Sequence, residues 1–165
     1  MTPLEMMPKE QWDEILEQFA RKTEMVACLG DPKGNVIQCC SERNPLCLAI
    51  RGNPEMLTFI CSQASETMGA VIAKTLESEL DFCHAGLIRV AVPIVRDGNM
   101  IGQVFACGLA SDEEEIDISL LASQFSVSED EVREMVKSIP VGSEKAVEGE
   151  TAELYAKINA VDGER

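Results

Sequence analysis

The chain has 165 residues, of which 45% are hydrophobic, and this length fits one domain with a substantial buried core. Its 29 acidic residues outnumber the 14 basic ones and give a net charge of −15, and no segment gathers enough Lys and Arg to neutralise phosphates, so nucleic acid and anionic membrane surfaces are disfavoured as partners. Because the N-terminus lacks the pattern of a signal peptide and no apolar run reaches membrane-spanning length, we expect a cytoplasmic protein.

The first part of the chain predicts a helix followed by a β-hairpin. Apolar side chains recur at helical spacing over residues 9–22, and Pro8 suits the start of a helix. Residues 25–29 form a short apolar run, and the turn-forming residues 31–35 separate it from a second β-branched run. We therefore expect an amphipathic helix and then two antiparallel strands.

A second helix is predicted after an irregular stretch. Residues 41–53 contain two turn-forming Asn-Pro signals and are expected to be mostly irregular. Asn53 can cap a helix whose first residue is Pro54, and the helical pattern ends near Glu79. The residues that share one face of this helix are Leu57, Ile60, Cys61, Ala64 and Met68. Cys61 is therefore expected to point inward.

Two long strands follow, and one of them carries small residues. Residues 87–94 and 100–109 have strand patterns, and Asp97 and Gly98 between them make a hairpin turn. One side of the returning strand carries Gly102, Val104, Ala106 and Gly108. Such a face lets either a helix or a ligand come close to the sheet.

The C-terminal part is predicted to be helical. Ser111 and Ser128 each begin a capping-box pattern that opens a short acidic helix. A last helix begins near Ser143, so we assign residues 1–142 to the domain and residues 143–165 to a C-terminal helix. Its apolar stripe has heptad spacing and consists of Val147, Thr151, Leu154, Ile158 and Val161. The stripe predicts either packing against the domain's own core or a dimerising or signal-transmitting helix.

The only histidine of the chain, His84, follows Cys83 at the start of the first long strand. Both side chains can bind metal or present a polar atom to a small ligand. Neighbours on a strand point to opposite faces, so the two do not form a catalytic dyad, and Cys83 faces a pocket only if His84 faces away, unless a bulge at Ala85 and Gly86 turns both inward. No phosphate loop, paired catalytic carboxylates or dinucleotide fingerprint is present, and we predict that the protein is not an enzyme.

The chain has seven cysteines, an odd number. Cytosolic thiols are kept reduced, so a disulfide scaffold is disfavoured. Cys28 and Cys107 lie among apolar neighbours in predicted strands and are expected to be small apolar fillers. Zinc or an iron–sulfur cluster requires that the fold bring a loop, a helix and a strand together, because no Cys-x-x-Cys pair exists. The cysteines that such a site would use are Cys40, Cys47, Cys61 and Cys83.

Taken together, several motifs resemble the PocR sensory domain, a ligand-binding module of prokaryotic signal transduction. They are the opening helix with the Asp-Pro-Lys-Gly-Asn turn, Asn44-Pro45-Leu46-Cys47, the helix bearing Cys61, the block Cys83-His84-Ala85-Gly86-Leu87 with Pro93-Ile94 and Gly102-Gln103, and the acidic helices that lead to residues 139–145. The Cys-His-Ala-Gly-Leu block is the most specific part. The resemblance runs nearly end to end and implies an α+β fold, with a PAS-like or GAF-like antiparallel sheet, helices on one side, and a pocket between them.

The resemblance implies a non-enzymatic sensory domain for a small hydrocarbon derivative such as propanediol. Relatives usually couple the domain to a DNA-binding, kinase or chemoreceptor module, so we expect an effector on another chain or elsewhere in a longer protein. A second copy of this chain, forming a homodimer, is the other expected partner. The predicted ligand-binding residues are Cys47, Cys61, Cys83, His84 and Gly102. Four alternatives stay open. Two are a ligand held through a cysteine-bound metal or iron–sulfur cluster and a metal-free pocket for a small alcohol, aldehyde or organic acid. The others are a redox-active or structural zinc or iron–sulfur thiol protein, and a purely structural role in which a backbone carbonyl satisfies the histidine and the cysteines are small apolar fillers.

Overall fold

The structure is a computed structural model that describes residues 1–160. In chain order its elements are α1 (Pro3–Met6), α2 (Lys9–Thr23), β1 (Val26–Gly30), β2 (Val36–Cys39), α3 (Pro45–Arg51), α4 (Pro54–Met56), a π-helix (Leu57–Ser62), α5 (Gln63–Thr75), β3 (Glu79–Phe82), β4 (Leu87–Arg96), β5 (Asn99–Ser111), α6 (Ile118–Phe125), α7 (Glu129–Val136), β6 (Val141–Gly142) and α8 (Glu144–Asn159). None of the helices in this described part is long and apolar enough to cross a membrane.

The strands form one six-stranded sheet in the order β2-β1-β5-β4-β3, with β6 beside β5. Neighbouring strands are antiparallel, except that the two-residue β6 runs parallel to β5. The hairpin β4–β5 turns at Asp97 and Gly98, which both have positive φ, as the Asp-Gly signal predicts. The predicted α+β fold, a PAS/GAF-like antiparallel sheet with flanking helices and a helical C-terminus, is confirmed.

Helices cover both faces of this sheet, whereas the family resemblance implies helices on one side. On one face α2 and α8 pack over β1, β4 and β5, and Trp12 and Leu16 are fully buried there. On the other face α5 packs over β3 and β4, with Met68 and Ile72 against Ala91. Alternate residues of β4 therefore serve two cores, because successive side chains of a strand point to opposite faces.

Gly108 changes the alternation of side chains in β5. It has a φ of +89°, and the pairing of β4 with β5 shifts between Ile88 and Val90 at this point. A bulge with glycine in the left-handed region inserts an extra residue and re-aims the side chains that follow. Leu109 consequently joins the α2–α8 core, whereas Cys107 lies on the opposite face of the sheet.

Three local predictions are wrong. Residues 41–53 are not mostly irregular, because Asn44 caps α3 just as Asn53 caps α4. The chain beyond α5 forms β3 rather than the end of a helix, since Leu76 stops α5 in a left-handed conformation. Ser111 ends β5 instead of capping a helix, and α6 begins later behind its own N-cap. The Ser128 cap, in contrast, is confirmed as the start of α7.

The last helix packs against the domain's own core, which was one of the two alternatives for its stripe. Ser143 caps α8, and α8 contacts β4 and α2. The buried stripe residues are Val147, Thr151, Leu154 and Ile158. Val161, the last residue of the predicted stripe, lies outside the described residues. Asn159 ties the end of α8 to β4, because its side chain accepts from Val95 N–H at 2.8 Å and donates to the Pro93 carbonyl at 3.0 Å.

Cys28 and Cys39 form a disulfide bond across the hairpin β1–β2. The two residues are direct partners in the strand pairing, and their Cα atoms are 4.1 Å apart. The expectation that Cys28 is a small apolar filler is therefore wrong, and the argument against a disulfide scaffold did not anticipate this one bond. Pairing of the strands brings together two cysteines that are 11 residues apart in sequence, and the number of cysteines alone does not reveal this.

Candidate functional site

A cavity of about 300 Å³ lies between the sheet and the helix that carries Cys61. Arg89 of β4 and Phe105 and Cys107 of β5 line its sheet side. Cys47 of α3, Cys61 and the start of α5 line its helical side. The turn between β1 and β2 and Arg43, which precedes α3, complete the wall. Its volume falls at the lower end of the range found for small-ligand sites.

Cys61 reaches this cavity from a π-helical segment. The π-helix Leu57–Ser62 joins α4 to α5 in one continuous helical run. A π segment adds a residue to the helical turn, which changes the direction of the side chains, and such segments are frequent at functional sites. Here Leu57 and Cys61 line the cavity, whereas Phe59 lies on the exposed side of the segment.

Cys47 is held in place by the first turn of α3. The Asn44 side chain accepts a hydrogen bond from the Cys47 backbone N–H at 2.8 Å, as an N-cap residue does. Leu46 and Ile50 are buried beneath the same helix. α3 therefore presents Cys47 and, one turn later, Arg51 to the cavity.

Burial makes the thiols around the cavity weak acids. Burial, with the nearby thiols of Cys107 and Cys83 as smaller causes, raises the pKa of Cys47 to about 12. Burial is also the largest cause that raises the pKa of Cys61 and the pKa of Cys83, while the Arg89 guanidinium acts in the opposite direction on both. At neutral pH these three thiols are protonated. A redox-active cysteine needs a thiolate, so this environment disfavours the redox alternative.

Cys83 and His84 lie in the turn between β3 and β4, not on a regular strand. Gly86 has a φ of +87°, and its N–H donates to the Cys83 carbonyl at 2.9 Å. Cys83 is half-buried and packs against the hydrophobic cluster that includes Ile60. His84 is exposed, and its ring centroid lies 4.8 Å from that of Phe59. Neither residue lines the cavity, and the two side chains occupy separate environments.

Gly102 and Cys40 lie away from the cavity. A Cβ atom at Gly102 would overlap the ring of Pro3 in α1 and would come within 2.9 Å of the Gly30 carbonyl oxygen. The small-residue face of β5 therefore admits helices, which is the first of the two uses predicted for it. Cys40 lines a separate and more open cleft of about 580 Å³ beside α2.

The predicted metal set converges only in part, because Cys47, Cys61 and Cys83 lie near one another and near Cys107, whereas Cys40 does not join them. Cys40 belongs to the other cleft, apart from Cys47 and Cys61. Within residues 1–160 no three side chains of His, Cys, Asp or Glu come together in a way that would hold a metal ion. The residues therefore do not fit either group, and we derive no role for one.

Of the residues that line the cavity, sequence reasoning predicted only Cys47 and Cys61, and the residues it missed include Arg89, Phe105 and Cys107. A signal existed for Arg89, which is the one charged residue in the apolar run of residues 87–95. Cys107 was expected to be an apolar filler because its neighbours are apolar. Its place on the cavity side follows from the pairing of the strands and from the bulge that follows it.

Comparison with known proteins gives one matching family and one curated relative. The family model described as the sensory domain found in PocR matches residues 5–161. The regulatory protein PocR of Salmonella typhimurium is 28% identical over 109 residues, which make up 64% of this chain and 35% of that protein. The matched region is thus only about a third of that relative's length.

Two solved structures of transcriptional regulators of the IclR type are distantly similar in shape. One is a domain that is 12% identical with a TM-score of 0.37, and the match covers 88% of this chain and 92% of that one. The other, from Alicyclobacillus acidocaldarius, is 14% identical with a TM-score of 0.33, and the match covers 88% of this chain and 66% of that one. Both likenesses are too distant to bear on function.

Proposed function

The chain belongs to the family of sensory domains found in PocR, and from this premise we propose that it binds a small organic molecule in the cavity beside Cys61. The observation that carries the proposal is the cavity itself, at about 300 Å³, on the side of the sheet opposite α2 and α8. Leu57 and Phe105 give it apolar walls, and Ser65 and Arg89 supply polar groups. A cavity that combines apolar walls with polar and charged groups suits a small hydrocarbon derivative with a polar substituent.

We propose that Cys47, Cys61 and Cys107 of β5 contact the ligand without a metal between them. All three line the cavity, and burial keeps the thiols of Cys47 and Cys61 protonated, so these act as small, polarisable surfaces. Cys83 supports them from the turn after β3. In this proposal His84 and Gly102, which lie at the outer surface and beneath α1, do not touch the ligand.

The proposed role is that of a sensory input in prokaryotic signal transduction rather than that of an enzyme. The relative in Salmonella typhimurium is named a regulatory protein, and the separation of Cys83 from His84 leaves no nucleophile and base in contact at the predicted site. We place the domain in the cytoplasm, with its effector module on another chain or elsewhere in a longer protein, and a homodimer through the last helix stays a prediction.

A change in the cavity would reach the C-terminal helix through β4. Arg89 of this strand lines the cavity, whereas its neighbours Ile88 and Val90 belong to the core beneath α8. Farther along β4, the Arg96 guanidinium donates to the Ile158 carbonyl of α8 at 2.9 Å. A ligand that moves β4 would therefore move α8, which is the signalling role proposed for residues 143–165.

The proposal is tested by ligand-induced stabilisation with a panel of C2 to C6 alcohols, aldehydes and organic acids. We expect at least one class to raise the melting temperature of the wild-type protein and to be retained in native mass spectrometry. Cys61→Met, which fills part of the cavity, should weaken that stabilisation. Cys40→Met is the matched control, because Cys40 is also half-buried but lies in the other cleft.

Equal loss of binding in the two variants would contradict the assignment of the cavity, and no stabilisation by any member of the panel would contradict the sensory function. Metal analysis of the anaerobically purified protein tests the metal-free version. Zinc or iron at one equivalent per chain would overturn it.

A further inference from the structure

The cavity carries a positive charge inside a strongly acidic protein. Its lining includes the basic residues Lys33, Arg43, Arg51 and Arg89 and a single acidic residue, Glu66. Four positive charges and one negative charge give this cavity a net charge of +3, while the whole chain carries −15. Positive groups concentrated in one concave site attract anions to it.

The four basic residues of the cavity have no internal counter-ion. Among residues 1–160 no carboxylate oxygen lies within 4.0 Å of any of them. Elsewhere on the surface, ion pairs within this distance do form, and they involve Lys9, Arg21, Lys22, Arg133 and Lys137. In a chain with about two acids for each base, four basic residues without an ion-pair partner therefore converge on one cavity.

Arg89 is the central member of this set. It is only 7% exposed, and its guanidinium donates to Ser65 Oγ and lies 5.8 Å from the centre of the Phe105 ring. Asp81 is its partner in the strand pairing, but the two form no ion pair. A buried charge is costly unless a counter-charge or several hydrogen bonds compensate it, and a guanidinium has five donors to satisfy. Arg89 therefore provides unfilled donors beside an aromatic ring inside the cavity.

On these observations we infer that the ligand is a small organic monocarboxylate whose carboxylate pairs with Arg89 and whose carbon chain lies against Phe105 and Leu57. The inference rests on the proposed function and narrows its ligand class. The planar fork of an arginine matches the two oxygens of a carboxylate. Arg43 and Arg51, which are more exposed than Arg89, add attraction at the edge of the site.

The test compares acids with alcohols of the same carbon skeleton. Lactate and propane-1,2-diol, and propionate and propan-1-ol, differ only in whether a carboxylate replaces the terminal alcohol carbon. At constant ionic strength the acids should stabilise the protein against heat and the matched alcohols should bind at least about tenfold more weakly, because a hydrogen-bonded charge pair is lost. Inorganic phosphate is the third probe, since it carries charge without an apolar part.

Three charge-removing variants test which basic residue binds the carboxylate. Arg89→Gln should weaken acid binding by about 10-fold to 100-fold, and Arg51→Gln should weaken it by a smaller factor. Lys74→Gln removes the same charge from an exposed residue of α5 that does not line the cavity, and it should leave binding unchanged. Because Arg89 is buried, circular dichroism and Trp12 fluorescence must first show that its variant is folded; if it is not, the comparison of Arg51→Gln with Lys74→Gln decides.

The outcomes separate this inference from the function on which it rests. If alcohols and acids bind equally, or alcohols bind better, the carboxylate inference fails and the sensory function stands. Phosphate binding as tight as that of the acids, or equal effects of Arg51→Gln and Lys74→Gln, would likewise overturn the inference alone. If no alcohol, aldehyde or acid binds, both fail.

Discussion

Cys47 should react with iodoacetamide far more slowly in the folded protein than in the unfolded one. The thiolate is the reacting form, and burial with neighbouring thiols raises the pKa of Cys47 to about 12. At pH 8 a thiol with a pKa of about 12 is about 10⁻⁴ ionised, whereas an unperturbed thiol with a pKa of about 8.5 is about one quarter ionised. The expected ratio of the two rates is therefore about 2,000, before any steric protection is counted.

The assay is timed alkylation followed by digestion and mass spectrometry of the peptide that contains Cys47. In the folded protein the rate constant should rise about tenfold for each pH unit between pH 8 and 10, with no plateau, whereas in urea it should level off above about pH 9.5, one unit above the unperturbed pKa of about 8.5. A plateau in the folded protein would mean that labelling occurs through an opened state. A folded rate within tenfold of the unfolded rate at pH 8 would refute the burial of this thiol.

The same thiols make stability depend on pH in a defined direction. Cys47, Cys61 and Cys83 all have a raised pKa in the folded state, so the folded protein holds their protons more tightly than the unfolded chain does. Their contribution to the free energy of unfolding is complete below the unfolded pKa of about 8.5. It is lost as the pH rises through the raised pKa of each folded thiol, which for Cys47 is about 12. Denaturant unfolding at pH 8 and pH 10 should show the decrease, and Cys47→Ala should reduce it.

Two further predictions concern residues away from the cavity. Gly102→Ala should destabilise the protein by about 1–3 kcal/mol and shift the fluorescence of Trp12, because the added methyl group pushes against Pro3, whose carbonyl accepts from Trp12 Nε1 at 2.9 Å. Gly69→Ala, in an open position of α5, is the control and should stabilise by about 0.5–1 kcal/mol; equal effects would contradict the close approach of α1. The unfolded, unreduced protein should titrate five free thiols, and reduction of Cys28–Cys39 should raise the count to seven and lower stability by about 3 kcal/mol. Seven thiols before reduction would disprove the bond.

Local patterns predicted most of the elements correctly. The helix at residues 9–22, the strands around Asp97 and Gly98, and the Ser128 cap follow from contacts between residues a few positions apart, so periodicity and turn residues were sufficient. The errors have the same origin. Asn44-Pro45 resembles a turn as much as a helix cap, and Ser111-Asp-Glu-Glu matches a capping box although Ser111 is the last residue of a strand that pairs with β6.

The sequence alone also identified part of the candidate site. Cys47 and Cys61 were predicted to approach one another, and both line the cavity. Cys40 and Gly102 were also predicted to belong to the site, but in the structure they lie elsewhere. The spacing of residues in the sequence does not determine which face of the sheet a residue occupies, because a β-bulge, a disulfide or a packed helix can change it.

What the sequence determined by itself is the family, the α+β class and the helical and strand segments, because these depend on motifs and on short-range periodicity. Only the tertiary structure decided which residues share the cavity. Arg89 on β4, Cys107 on β5 and Cys61 on the π-helix come together through strand pairing and helix packing between distant parts of the chain. The tertiary structure also decides the charge of the cavity, because whether an arginine has a carboxylate beside it depends on how the chain folds.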